Sequence, residues 1–270
     1  MPLGLDLSES DAKIARARVH LETLQREIPV AIAKRKPFTA RLSEIDPNSG
    51  WCLVFFTSNS APEHDLGVIV GDLVHNLRCA LDYIIAKLVG ASGATLEKKH
   101  QFPISTSLNH YTKWVGTAAL PVAGGPLGGI KYGLQEIFAL QPFHRKPSPE
   151  DDRLVFVQRF SNADKHRIIS EVIPLLQPGS AIVEHDGIVL EQSQSPNLPN
   201  LKPNIEYEIA RMRFAKPYPT KVSLEGNVSV EIFFGTPAIG HHVKGEAIDV
   251  LILQEMCEHV AMIAYRFKKL

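Results

Sequence analysis

The chain has 270 residues, enough to bury a substantial core. Its 29 basic and 29 acidic residues cancel, which excludes a whole-protein field that would gather nucleic acid or an anionic membrane and leaves only local patches to do so. Hydrophobic residues make up 44% and charged residues 21%, a folded rather than a disordered balance, and three scattered cysteines (Cys52, Cys79, Cys257) suggest neither a disulfide framework nor a thiolate zinc site.

In chain order, Ser8 or Ser10 can cap a first helix that reaches about Arg26 or Ile28, with Pro29 and Pro37 bracketing its end. Residues 38–42 and 51–56 read as strands. Asp46-Pro47-Asn48-Ser49-Gly50 between them is turn chemistry, so a hairpin is expected. From about 65 to 89, apolar residues recur at Leu66, Ile69, Val70, Leu73, Leu77, Leu81, Ile84 and Leu88, which is helical spacing, and Gly90 to Gly93 end it. Next come a loop holding Phe102-Pro103-Ile104-Ser105 and a short helix near 109–115. A flexible Gly- and Pro-rich loop over 121–129 precedes a helix over 130–140, stopped at Pro142. Another helix is expected from about 150 to 173, ended by Pro174.

Beyond Pro174 the pattern changes. Residues 181–183 and 188–190 flank His185-Asp186-Gly187, a hairpin signal. A loop with three prolines spans 196–203. Residues 205–214 and 221–234 read as longer strands, the latter interrupted at Gly226-Asn227. A last helix covers about 245–268, with Ile248, Leu251, Ile252, Met256, Val260, Ile263 and Phe267 on one side. The expected fold class is α+β: a helical bundle with an antiparallel sheet built from the N-terminal hairpin and the C-terminal strands. It reads as one domain over 1–270. A mainly helical part spans 1–176, a β-rich part 177–240, and a C-terminal helix over 241–270 packs on the bundle. The start of the chain lacks a basic segment followed by an apolar core, and no uncharged apolar run is long enough to span a bilayer. A reducing cytoplasm is the expected location, with no membrane partner.

Two polar clusters stand out, His75-Asn76-Leu77-Arg78-Cys79-Ala80-Leu81-Asp82 and Asn162-Ala163-Asp164-Lys165-His166-Arg167. On the first helix His75, Arg78 and Asp82 fall opposite the apolar stripe. Charge there ordinarily marks a solvated face. Gly71, Cys79 and Ala86 on the same side are small, however, and let another element approach closely. On the second helix Asn162, Lys165 and His166 share a face with Val155, Ile169, Val172 and Ile173, while Asp164 and Arg167 point elsewhere. Polar groups on an apolar stripe need partners, since a buried unpaired one costs about 1–3 kcal/mol. The expectation is that the clusters meet, with Asp82 orienting His166 or pairing with Lys165, and Arg78 bonding Asn162 or an acid. The plain alternative is a buried network that fixes helix packing without chemistry.

The run Gly71-Asp72-Leu73-Val74-His75-Asn76-Leu77-Arg78 with Ala80-Leu81-Asp82, followed by Asn162 and Asp164-Lys165-His166-Arg167, resembles a family of uncharacterised bacterial and phage-associated proteins. Its members carry a GD-x-x-HNLR-x-x-LD helix and an N-x-DKHR helix. The Asp-Pro-Asn-Ser-Gly turn and Phe102-Pro103-Ile104 also fit, so the resemblance covers about the first two-thirds of the chain; it implies no activity. A more distant similarity is to HEPN helical domains, many of them metal-independent ribonucleases with an Arg-x4–6-His motif, often dimeric. Arg78 stands where that arginine would, and Tyr83 stands where the histidine would. That similarity implies RNA or a phosphate-bearing ligand as partner, and a homodimer.

If the clusters meet, His166 can act as general base with Asp82 orienting its ring. Arg78 and Lys165 can stabilise developing phosphorane charge, with Asn162 and His75 completing the site. Such a site suits RNA cleavage through the 2′-hydroxyl, or the binding of a phosphate or carboxylate. A metal site of His75, Asp82 and His166, with Asp164 added, is disfavoured. His75 and Asp82 are two turns apart, and Arg78 and Lys165 would repel a cation. No cofactor motif is present: Gly124 to Lys131 lacks the adjacent Gly-Lys-Ser/Thr of a phosphate loop. His241-His242 and His144-Arg145-Lys146 read as surface turns. The leading expectation is therefore HEPN-like RNA binding or metal-independent ribonuclease activity. The alternative is a non-enzymatic interaction module in which the polar cluster locks helix packing, and a metal-dependent hydrolase comes third.

Overall fold

A computed structural model describes residues 3–35, 38–58, 64–145, 148–165, 171–176, 182–194, 205–225, 230–235 and 247–270. Six helices occur among them: α1 (Ser8–Arg35), α2 (His64–Ala91), α3 (Leu108–Trp114), α4 (Leu134–Ala139), α5 (Arg153–Lys165) and α6 (Val250–Lys268). The strands are β1 (Phe38–Leu42), β2 (Trp51–Ser58), β3 (Glu171–Leu176), β4 (Ile182–His185), β5 (Val189–Gln194), β6 (Glu206–Phe214), β7 (Val222–Glu225) and β8 (Val230–Gly235), besides a two-residue strand at Ala247–Ile248. The fold is α+β, as expected from the sequence. It divides into two compact units. One comprises Met1–Gln25, Asp65–Ser170 and Thr236–Leu270; the other comprises Arg26–His64 and Glu171–Gly235.

The first unit is helical. α2 buries Leu66, Val70, Leu73, Leu77, Leu81, Ile84 and Leu88, the stripe its spacing predicts. Each fully buried leucine stabilises the unit by about 2 kcal/mol. α1 contributes Ile14, Ala17, Leu21 and Leu24, and α6 contributes Leu253, Met256, Val260, Ile263 and Phe267. Polar contacts fix how the helices meet. Ser10 Oγ donates to the Ala80 carbonyl at 3.0 Å, and Lys87 pairs with Glu9. Lys268 Nζ lies 2.6 Å from Asp11, and Arg153 Nε donates to Glu255 Oε2 at 2.6 Å, joining α5 to α6. Asp249 caps α6 by accepting the Ile252 N–H at 2.8 Å.

The largest sheet of the second unit has the order β1-β2-β6-β5, antiparallel throughout. Asp46 shapes the β1–β2 turn, accepting from the Asn48 N–H at 2.9 Å and the Ser49 hydroxyl at 2.5 Å. These bonds hold its carboxyl below the usual carboxylate range, Ser49 contributing most. Gly50 ends the turn at φ +77°, and a Cβ there would lie 2.6 Å from the Phe214 carbonyl oxygen. Alternation follows the pleat: Cys52 and Val54 are buried with Met212 and Phe214, while Trp51, Leu53 and Phe55 on the other face are half-buried. Val183 of β4 and Val222 and Leu224 of β7 pack against the buried side.

Several expectations need correction. α1 does not stop before Pro29 but runs through it to Arg35, although proline has no N–H to donate to the helix ladder. The helix expected to reach Ile173 is replaced over 171–176 by β3, paired antiparallel with β8 from Glu171↔Gly235 to Leu176↔Val230. Val172 and Ile173 are β-branched, and a partner strand outweighs their apolar spacing. The strands flanking His185-Asp186-Gly187 do not pair with each other: β4 pairs with β7 and β5 with β6. Asp186 is instead tied to the segment before β7, accepting from Thr220 Oγ1 at 2.6 Å and from the Lys221 N–H at 3.1 Å. The segment expected as a flexible loop over 121–129 is a chain of turns in which Gly125, Pro126, Leu127 and Gly128 are buried. The proline-rich loop over 196–203, Gly226-Asn227 and His241-His242 lie outside the described residues.

Candidate functional site: a polar clamp on residues 97–105

Arg78 and Asp82 do form a polar site, one turn apart on α2. The Arg78 side chain is only 8% exposed, and that of Asp82 35%. Arg78 Nε donates to Asp82 Oδ2 at 3.2 Å, and its Nη2 lies 3.0 Å from Asp82 Oδ1. The same Nη2 donates to the Phe102 carbonyl at 2.9 Å and to Gln101 Oε1 at 3.3 Å. Asp82 Oδ1 in turn accepts the Phe102 N–H at 2.9 Å. The pair thus offers one donor and one acceptor to a single buried backbone residue, much as a neighbouring strand would. The element that Arg78 and Asp82 meet is an irregular segment rather than a second helix.

Two further side chains complete the clamp. His100 Nδ1 accepts the Glu97 N–H at 2.8 Å, which leaves its Nε2 as the donor to the Gly128 carbonyl at 2.9 Å. Gln141 accepts the Ser105 N–H at 3.1 Å and donates to the carbonyls of Pro103 and Ile137, both at 2.9 Å. Phe102, Pro103, Ile104 and Ser105 are all buried. Their backbone groups cannot reach water or a ladder, so side chains must satisfy them. Sequence reasoning missed His100 and Gln141. The available signal was a Pro-containing apolar run with no helical or strand period, flanked by polar residues able to both donate and accept.

The remaining candidates are dispersed. His75 does not join Arg78 and Asp82; it is exposed, and its Nε2 lies 3.4 Å from Cys79 Sγ. Asn162 is exposed in the last described turns of α5, contrary to the apolar face expected for it. The buried stripe of α5 is centred on Leu154, Val157 and Ser161, so the face shared by Val155 and Asn162 lies at its margin. Lys165 is the last residue of α5, following Asp164. His166 and Arg167 lie outside the described residues. Arg78 does bond an acid, but that acid is Asp82 of its own helix. Among the described residues no three His, Cys, Asp or Glu side chains converge as a metal site. Also among the described residues, no helix is long and apolar enough to cross a membrane.

One buried titratable group went unnoticed in the sequence. His259 of α6 has its Nε2 buried without a hydrogen-bond partner. Burial holds its pKa below the ordinary histidine value; Asp152 opposes this, and Arg153, Arg266 and Arg145 reinforce it. Comparison with known proteins gives no match to any family model, curated protein or solved structure.

Proposed function

We propose that this chain is a non-enzymatic interaction module, and that Arg78 and Asp82 are its internal clamp rather than its chemistry. The observation that carries this reading is the commitment of the Arg78 guanidinium. It is buried, and its Nε and Nη2 are spent on Asp82, Gln101 and the Phe102 carbonyl. A phosphate approaching those nitrogens would have to displace a carboxylate and a buried carbonyl, leaving both unpaired. The clamp lies at the start of a long, mostly irregular stretch between α2 and α4. That stretch carries Leu96, Leu108, Leu120, Val122 and Tyr132, all exposed large apolar residues. Exposed apolar side chains suit a protein partner better than RNA, which calls for a basic groove.

The test is a cleavage assay on single-stranded RNA in EDTA, run beside thermal unfolding. The module reading expects no cleavage by the purified chain, and a lowered Tm for Arg78→Ala. Cleavage by the unaltered chain that disappears in His166→Ala, with Tm unchanged, would overturn it in favour of a ribonuclease.

A further inference from the structure

Leu251, Met262 and Tyr265 stand out of α6 into solvent, 60%, 42% and 57% exposed. Their spacing of three turns and then one sets all three on a single face of the helix. Other faces of α6 are occupied: Leu253, Met256, Val260, Ile263 and Phe267 are buried, and Lys268 holds Asp11 of α1. The exposed face also carries charge in a definite order. Glu258 lies four residues before Met262, and Arg266 lies four residues after it; both are exposed. Glu258 accepts from Gln254 Nε2 at 2.9 Å, and among the described residues neither Glu258 nor Arg266 has an ion-pair partner. A rise of about 12 Å along their own helix keeps them from pairing with each other. The helix dipole favours acids in the first turn and bases in the last, which accounts for Arg266 but not for Glu258 in the third turn.

We propose that this face of α6 binds the same face on a second copy of the chain, the two helices running antiparallel about a two-fold axis beside Met262. Symmetry about that residue sets Glu258 opposite the partner's Arg266 and Arg266 opposite the partner's Glu258, so each charge meets its opposite twice over. A parallel pairing would set acid on acid and base on base, which costs several kcal/mol. The two Met262 thioethers meet between the ion pairs, where a flexible, polarisable side chain packs well against its own copy. Tyr265, with Lys269 lying 4.3 Å from its ring centre, widens the apolar centre. One helical seam falls short of the roughly 800 Å² per partner of a standard interface, so the dimer is weak and reversible. The seam uses no residue of the clamp and stands independently of the module reading.

The experiment is sedimentation equilibrium of the full chain in low salt at about 100 μM, where a contact of about 10 μM affinity is mostly dimeric. The unaltered chain should sediment at twice the chain mass. Glu258→Arg and Arg266→Glu should each weaken association by about tenfold or more, since each sets like charges opposite one another, with Tm unchanged. Mixing those two variants should restore a dimer, because the first then offers only bases and the second only acids. Met262→Glu gives a further disruption should a charge reversal perturb folding. A monomeric unaltered chain, single variants that associate as the unaltered chain does, or a mixture that stays monomeric would overturn the proposal.

Discussion

Arginine is used in two opposite ways in the two units. In the helical unit Arg78 is buried against the Phe102 carbonyl and Asp82. In the sheet unit Arg41, Arg211 and Arg213 lie half in water on the outer face. Arg41 sits 4.5 Å from the Phe55 ring centre, and Arg211 and Arg213 sit 5.7 and 5.8 Å from that of Trp51. Each also faces a glutamate: Glu206, Glu208 and Glu191 in turn. The sheet arginines cover apolar rings and neutralise acids, tasks that water and salt share. Arg78 performs a task water cannot, because no water reaches Phe102. The difference shows that an arginine's value here is set by what its loss strands, not by how many partners it has.

The comparison can be broken most directly at Arg78. Arg78→Ala should cost about 3 kcal/mol, because the Phe102 carbonyl and a half-buried carboxylate are left behind. Denaturant unfolding of the chain measures it; a loss below that of the sheet arginines would erase the contrast. Gln141→Ala should cost about 2 kcal/mol by stranding the Ser105 N–H and the Pro103 carbonyl. Hydrogen exchange should show faster exchange at Ser105 in that variant.

A smaller effect comes from His259. Its pKa is lowered in the folded state, so above the unfolded value of 6.5 both states are neutral and the group adds no pH dependence. As the pH falls through 6.5 the unfolded chain gains a proton that the folded chain refuses, and stability declines until the folded pKa is reached. His259→Leu should flatten that part of the Tm–pH curve. The smallest effect is expected at Arg211→Ala, within about 1 kcal/mol and weakened further by salt.

Much of this architecture could be read beforehand. The helical periods of α2 and α6 and the Asp-Pro-Asn-Ser-Gly turn are local signals, and local physics decides them. The faces of Arg78 and Asp82 were also legible from angle alone. Their partner was not, because Arg78 and Asp82 grip main-chain groups, and every residue carries the same main-chain groups. A search for complementary side chains pointed to Asn162, which is exposed. The strand at 171–176 failed for a related reason: its partner is sixty positions away, and Val172 and Ile173 fit a helix or a sheet equally until that partner exists.

The grip on Phe102 has a consequence for how this segment can vary. Arg78 and Asp82 hold an amide and a carbonyl, so they place no demand on the side chain at 102. That side chain can be chosen for the hydrophobic interior alone, and aromatic or branched replacements should keep the attachment. Proline is the exception, since it alone has no amide hydrogen for Asp82 to receive.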